Sequence, residues 1–131
     1  MKNVIFKSVE LPATADKLFE MYLDSTTHSA ITGLDASVSA ENGSDFQAFG
    51  GLLTGKMLQV VRPRLIVQAW RSVSFHETDP DSLLILSFSD EGSNGRIDLV
   101  HLDVPDHDYD GVTRGWDEKY FEPWRVYLEN R

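Results

Sequence analysis

Between Asp35 and Pro105 the chain alternates short runs of branched and aromatic residues with turn signals, the pattern of consecutive antiparallel strands. The turns fall at Glu41-Asn42-Gly43-Ser44, Gly50-Gly51, Arg62-Pro63-Arg64, Asp79-Pro80-Asp81-Ser82 and Asp90-Glu91-Gly92-Ser93-Asn94-Gly95. Each is rich in residues that tolerate tight backbone geometry. The segments between them predict strands at roughly 37–40, 45–49, 53–61, 65–75, 83–89 and 96–104. Parity gives each strand a side: Leu84, Leu86 and Phe88 share one face, Ile97, Leu99 and His101 another, and Ile66 and Trp70 flank Gln68 on a third. A layer with such an apolar face needs something laid across it.

The ends of the chain supply helices. "VIFKSV", residues 4 to 9, reads as a first strand that stops at Leu11-Pro12. Ala15, Leu18, Phe19, Tyr22 and Leu23 then recur at steps of three and four, a helical stripe with Thr14 as N-cap. Helix-start residues at Ser25 to Thr27 and a stop at Gly33 predict a second short helix. At the far end, "TRGWDEKYFEPWRVYLENR" places Trp116, Tyr120, Trp124, Tyr127 and Leu128 at helical spacing. Pro123 deletes one hydrogen bond there, which predicts a kink or a last turn that starts anew. The expected architecture is α+β: a sheet of about six or seven strands, two short helices and a long C-terminal helix packed across the sheet.

At 131 residues the chain is the size of one domain, so residues 1–131 are expected to share a single core. Its net charge of −9 repels phosphate backbones and anionic headgroups, which argues against nucleic-acid and membrane-surface partners. No apolar run approaches the roughly 20 residues of a membrane helix, and the N-terminal apolar stretch is too short for a signal peptide, so the cytoplasm is the expected compartment. The absence of cysteine removes disulfides, thiolate nucleophiles and cysteine zinc sites together.

Chemistry-bearing motifs are sparse. Asp106, Asp108, Asp110, Gly111 and Asp117 follow the spacing of an EF-hand calcium loop. A strand precedes them, however, Thr113 stands where an apolar residue is usual, and Asp117 replaces the bidentate glutamate, so a solvated acidic connection is the expected reading. His76 and His107 lie beside turn or acidic segments and are expected at the surface, and His28 lies in the second helix region. His101 shares a face with Ile97 and Leu99, so it either finds a partner in the core or lines a pocket. No HExxH, no histidine pair at metal spacing, no nucleophile elbow, P-loop, dinucleotide fingerprint or serine-triad spacing appears, and neither a metal nor a cofactor is expected.

Five stretches in order, "HSAITG", "FQAFGG", "RPRLIVQAWR", "LSFSD" and "RGWDEKYFEPW", resemble the C-terminal domain of the Aha-type activators of the heat-shock protein 90 ATPase, within the helix-grip (START-like) superfamily. The resemblance covers almost the whole chain. It implies a strongly curved antiparallel sheet wrapped around the C-terminal helix, with a cavity between them in many members, and it places the acidic stretch in the connection leading into that helix. In such a cavity Trp116 and Tyr120 would present an indole N–H and a hydroxyl beside Gln68, Trp70, Phe88 and His101. The expected function is therefore non-enzymatic binding of a small hydrophobic molecule. A co-chaperone acting on heat-shock protein 90 is the alternative, and an enzyme using His101 and Tyr120 on a cavity-bound substrate is a third.

Overall fold

The computed structural model describes residues 4–130. Strand β1 (Val4–Leu11) leads into helices α1 (Ala15–Leu23) and α2 (Ser25–Thr32). Strands β2 (Asp45–Ala48), β3 (Leu53–Val61), β4 (Leu65–Ser72), β5 (Ser82–Glu91) and β6 (Asn94–Leu102) follow, and the chain ends in α3 (Tyr109–Gly115) and α4 (Glu122–Glu129). All neighbouring strands are antiparallel in the order β1-β6-β5-β4-β3-β2, so the middle of the chain is a meander and the first strand returns to pair with the last.

Local chemistry sets the helix ends. Thr14 Oγ1 accepts from the Lys17 N–H at 3.3 Å and opens α1. Asp24 closes α1 through its backbone N–H and opens α2 with a carboxylate that accepts from the Thr27 N–H at 2.9 Å. Gly33 ends α2 at φ 83°, a left-handed cap that suits glycine.

The expected parity holds on β4, β5 and β6. Ile66, Gln68, Trp70, Leu84, Leu86, Phe88, Ile97, Leu99 and His101 are all buried on one side of the sheet. Leu18 and Phe19 of α1 and Trp116, Tyr120, Phe121 and Trp124 of the C-terminal segment bury themselves in the same core. Two glycines make the close packing feasible. A Cβ on Gly55 would stand 1.8 Å from the Ala69 carbonyl oxygen and 2.7 Å from the Phe46 ring, and one on Gly95 would meet Leu18 and the Ala13 carbonyl. Just beyond Gly55 the β3–β4 register slips between Met57 and Gln59, a bulge that bends a sheet.

The C-terminal segment is one rod of four pieces. A 3-10 turn (Asp106–Asp108) runs into α3, a π-type turn (Trp116–Phe121) follows, and α4 begins at Glu122. Pro123 follows directly on the π-type turn, and the backbone stays helical through Phe121 and Glu122, whose N–H donates to the Asp117 carbonyl, so the rod changes its hydrogen-bond pattern ahead of the proline rather than starting anew. Trp116, Tyr120 and Trp124, at four-residue steps, still reach the core together.

Some boundaries differ from expectation. Residues 37–40 form no strand, only an isolated bridge from Ser37 to Gln47, and the sheet has six strands. Strand β4 stops at Ser72 because the chain then turns, the Phe75 N–H donating back to the Ser72 carbonyl at 3.0 Å, and the final helical rod starts at Asp106 rather than near Thr113. Among the described residues no helix is long and apolar enough to cross a membrane.

Candidate functional site

A pocket of about 470 Å³ opens where the β3–β4 end of the sheet meets the rod. Leu53 and Trp70 come from the sheet, Phe49 from the turn before β3, Leu34 from the segment after α2, and Val112, Trp116 and Tyr120 from the rod. Its lining is mostly apolar, with Ser72, Ser74, Asp108 and Lys119 supplying polar groups. Gly115 also lines it, and a Cβ there would meet nothing within 4 Å. Phe49 adopts φ 55°, unfavourable for a bulky residue, and its ring stands edge-on to Tyr120 at 5.2 Å. A strained backbone that aims an aromatic ring at a cavity wall fits a site more readily than a passive core.

Beneath the pocket floor lies a closed set of polar groups. The Trp116 indole N–H donates to His101 Nδ1 at 3.1 Å, so that nitrogen holds the lone pair and Nε2 carries the proton. That Nε2–H faces Ser82 Oγ at 2.9 Å, while the serine hydroxyl donates to the Trp70 carbonyl at 2.7 Å. Trp70 stands edge-on to the imidazole at 4.6 Å. Burial pushes the His101 pKa down to about 3, so the ring is neutral.

A second set forms around His28. Its Nδ1–H donates to the Tyr22 carbonyl at 2.8 Å, which leaves Nε2 to accept from the Tyr120 hydroxyl at 2.8 Å. The Tyr22 hydroxyl donates to Gln68 Oε1 at 3.0 Å, and the Gln68 amide faces Met57 Sδ at 3.2 Å. Burial lowers the His28 pKa and raises those of Tyr22 and Tyr120, so all three rings are uncharged.

The six residues singled out in the sequence therefore divide. Trp70, Trp116 and Tyr120 meet at the pocket wall, whereas Gln68 and His101 are fully buried below it and Phe88 packs against Phe19 at 5.5 Å. The Trp116 N–H and Tyr120 hydroxyl, expected to face a ligand, bond instead to the two histidines, so these residues offer ring faces to the pocket. Phe49 and His28 were not singled out. The three-residue step from His28 to the buried Ile31 is the helical-face signal that could have marked His28.

The acidic stretch is helical from Asp106 to Gly115, which is not the extended calcium loop its spacing suggested. Among the described residues a different trio, His76, Asp79 and His107, brings its potential ligand atoms within 4.8 Å of one another.

Comparison with known proteins agrees with the architecture. The sequence profile of the family described as "Activator of Hsp90 ATPase homolog 1-like protein" matches residues 12–129. The human activator of 90 kDa heat shock protein ATPase homolog 1 is 23% identical over 107 residues, covering 82% of this chain and 31% of that protein. The chain thus spans about a third of the length of the curated relatives it matches. Among solved structures, an HSP90 activator from Plasmodium falciparum superposes with a TM-score of 0.86 at 21% identity, covering 96% of both chains. CalU16 from Micromonospora echinospora follows with a TM-score of 0.80 at 21% identity, over 95% of this chain and 73% of that one.

Proposed function

Because the chain belongs to the Activator of Hsp90 ATPase homolog 1-like family, a helix-grip fold, we propose that it acts without catalysis, by holding a small hydrophobic molecule in the pocket between sheet and rod. The supporting observation is the pocket itself: about 470 Å³ walled by Leu53, Phe49, Trp70, Trp116 and Tyr120. That volume falls within the roughly 300–1,000 Å³ of small-molecule sites. The buried histidines serve this reading indirectly. Each holds one aromatic wall residue in place, His101 through Trp116 and His28 through Tyr120, so the cavity is kept in shape before any ligand arrives. Both rings are neutral and enclosed, which suits them to positioning and not to acid–base work.

Gly115 gives the test. A leucine there occupies the cavity from the rod side, meets no atom at its Cβ, and improves helix propensity by about 1 kcal/mol. Titration with hydrophobic fluorophores and a library of apolar molecules should find binders that raise the melting temperature of the wild type. Gly115→Leu should weaken them at least ten-fold while melting no lower in their absence. Equal binding by the variant, or no binder across a broad library, would remove the proposal.

A second reading rests on a separate observation. The solved chain of the Plasmodium HSP90 activator superposes on this one over 96% of its length. A surface contact with heat-shock protein 90 therefore stands beside ligand binding as the alternative, with the cytoplasm as the compartment proposed.

A further inference from the structure

The chain has four histidines. Two are buried and fully occupied, as described above, and the two exposed ones, 31 positions apart in sequence, are stacked on each other. The rings of His76 and His107 lie 4.0 Å apart and within 6° of parallel. Asp79 completes the group, its Oδ2 3.9 Å from His76 Nδ1. We propose that His76, Asp79 and His107 form a binding site for a divalent transition metal of zinc-like chemistry, on the rim of the pocket.

Three observations carry this. The ligand types are right: two imidazoles and a carboxylate are a set that zinc accepts, with a fourth position left for water. The set is also oriented. His107 Nε2 lies 2.9 Å from the Ser74 carbonyl, an acceptor only, so Nε2 carries the hydrogen and Nδ1 presents its lone pair. A backbone carbonyl holding the second nitrogen is the usual support for a metal-bound histidine. Finally, the loop that carries His76 and Asp79 is fixed by its own chemistry. Arg71 donates to the His76 carbonyl at 2.7 Å and to the Asp79 carbonyl at 2.8 Å, and Asp81 balances its charge at 3.1 Å. The Asp79 carboxylate also accepts from the His76 backbone N–H at 2.7 Å, which ties the two ligands together.

The fit requires small movements. Zinc bonds of about 2.0–2.2 Å hold ligands roughly 3.3 Å apart, so the three side chains must close by about an ångström, and the two stacked rings must tilt out of parallel so that their in-plane lone pairs converge on one ion. Exposed rings on a surface loop and a short turn can do this without disturbing the core. Asp106 and Asp108, on either side of His107, add negative potential in a chain of net charge −9. The ion would join the β4–β5 loop to the start of the rod. Ser74 and Asp108 line the pocket at the same place, so metal binding would fasten one side of its mouth.

The experiment uses tag-free protein stripped with chelator and then titrated with Zn²⁺. Calorimetry should report one ion per chain, and ring-nitrogen NMR should move His76 and His107 together while His28 and His101 stay still. His76→Ala, Asp79→Asn and His107→Ala should each weaken binding by at least the roughly 10–100-fold that loss of even an outer partner causes. Their melting temperatures in chelator should match the wild type. Shifts in only one of the two exposed histidines, no saturable binding, or unchanged affinity in the variants would overturn the proposal. The wild-type spectra decide the matter even if a variant folds poorly.

Discussion

His101 holds no charge, accepts from Trp116 and donates to Ser82, and a proton on Nδ1 would set two donors against each other inside the core. Its pKa falls from the ordinary value near 6.5 to about 3 on folding. The unfolded chain therefore binds a proton between these values that the folded chain refuses. Stability should be fully present above about pH 6.5 and decline as pH falls, at up to about 1.4 kcal/mol per unit for this group, levelling off near pH 3. His28, also depressed by burial, acts in the same direction. Thermal unfolding measured from pH 7 to 4 should trace the loss, and His101→Gln should flatten it. The His101 ring resonance should stay in its neutral position down to about pH 4, and a midpoint near 6 would contradict the buried arrangement.

At the scale of elements, β3 owes its close approach to β4 to one missing side chain. The Cβ of an alanine at position 55 would collide with backbone, which cannot swing aside as a flexible side chain can. Gly55→Ala should therefore destabilise by about 1–3 kcal/mol or more, the usual effect of overpacking, read as a lower urea midpoint. Gly115→Leu, equally a glycine replacement, should show no such loss. Strands β3 to β6 could be read in sequence because their alternation is long and bounded by strong turns. Residues 37–40 could not, since four residues of alternating pattern also describe a segment held by one bridge to Gln47. The first turns of the rod were hidden for another reason. Asp106, Asp108 and Asp110 read as loop residues, yet carboxylates are stabilised at the start of a helix, where the backbone N–H groups point outward.

For the whole molecule, the fold was legible and the site only in part. Parity and helical spacing identify which side chains face inward, but not which of them a curved sheet leaves uncovered; Trp70 and His101 share a face, and only the former reaches the pocket. The pairing of His76 with His107 depends on the β4–β5 loop meeting the first turn of the rod in space and left no trace in spacing. The co-chaperone reading is also a statement about the entire surface, so it is tested with the intact chain. Added to the cognate heat-shock protein 90, it should bind saturably, weaken with salt and alter ATP turnover, whereas unchanged turnover at excess protein would eliminate that reading. The sheet order has a further consequence for how such a chain comes into being. Val4 lies beside Leu102, so β1, synthesised before the other five strands, waits for the sixth before it has a strand neighbour. Closure of so large a loop is slow and exposes a bare strand meanwhile. A nascent chain halted before Asn94 should remain sensitive to proteases along Val4–Leu11, and extension through Leu102 should bring protection in one step.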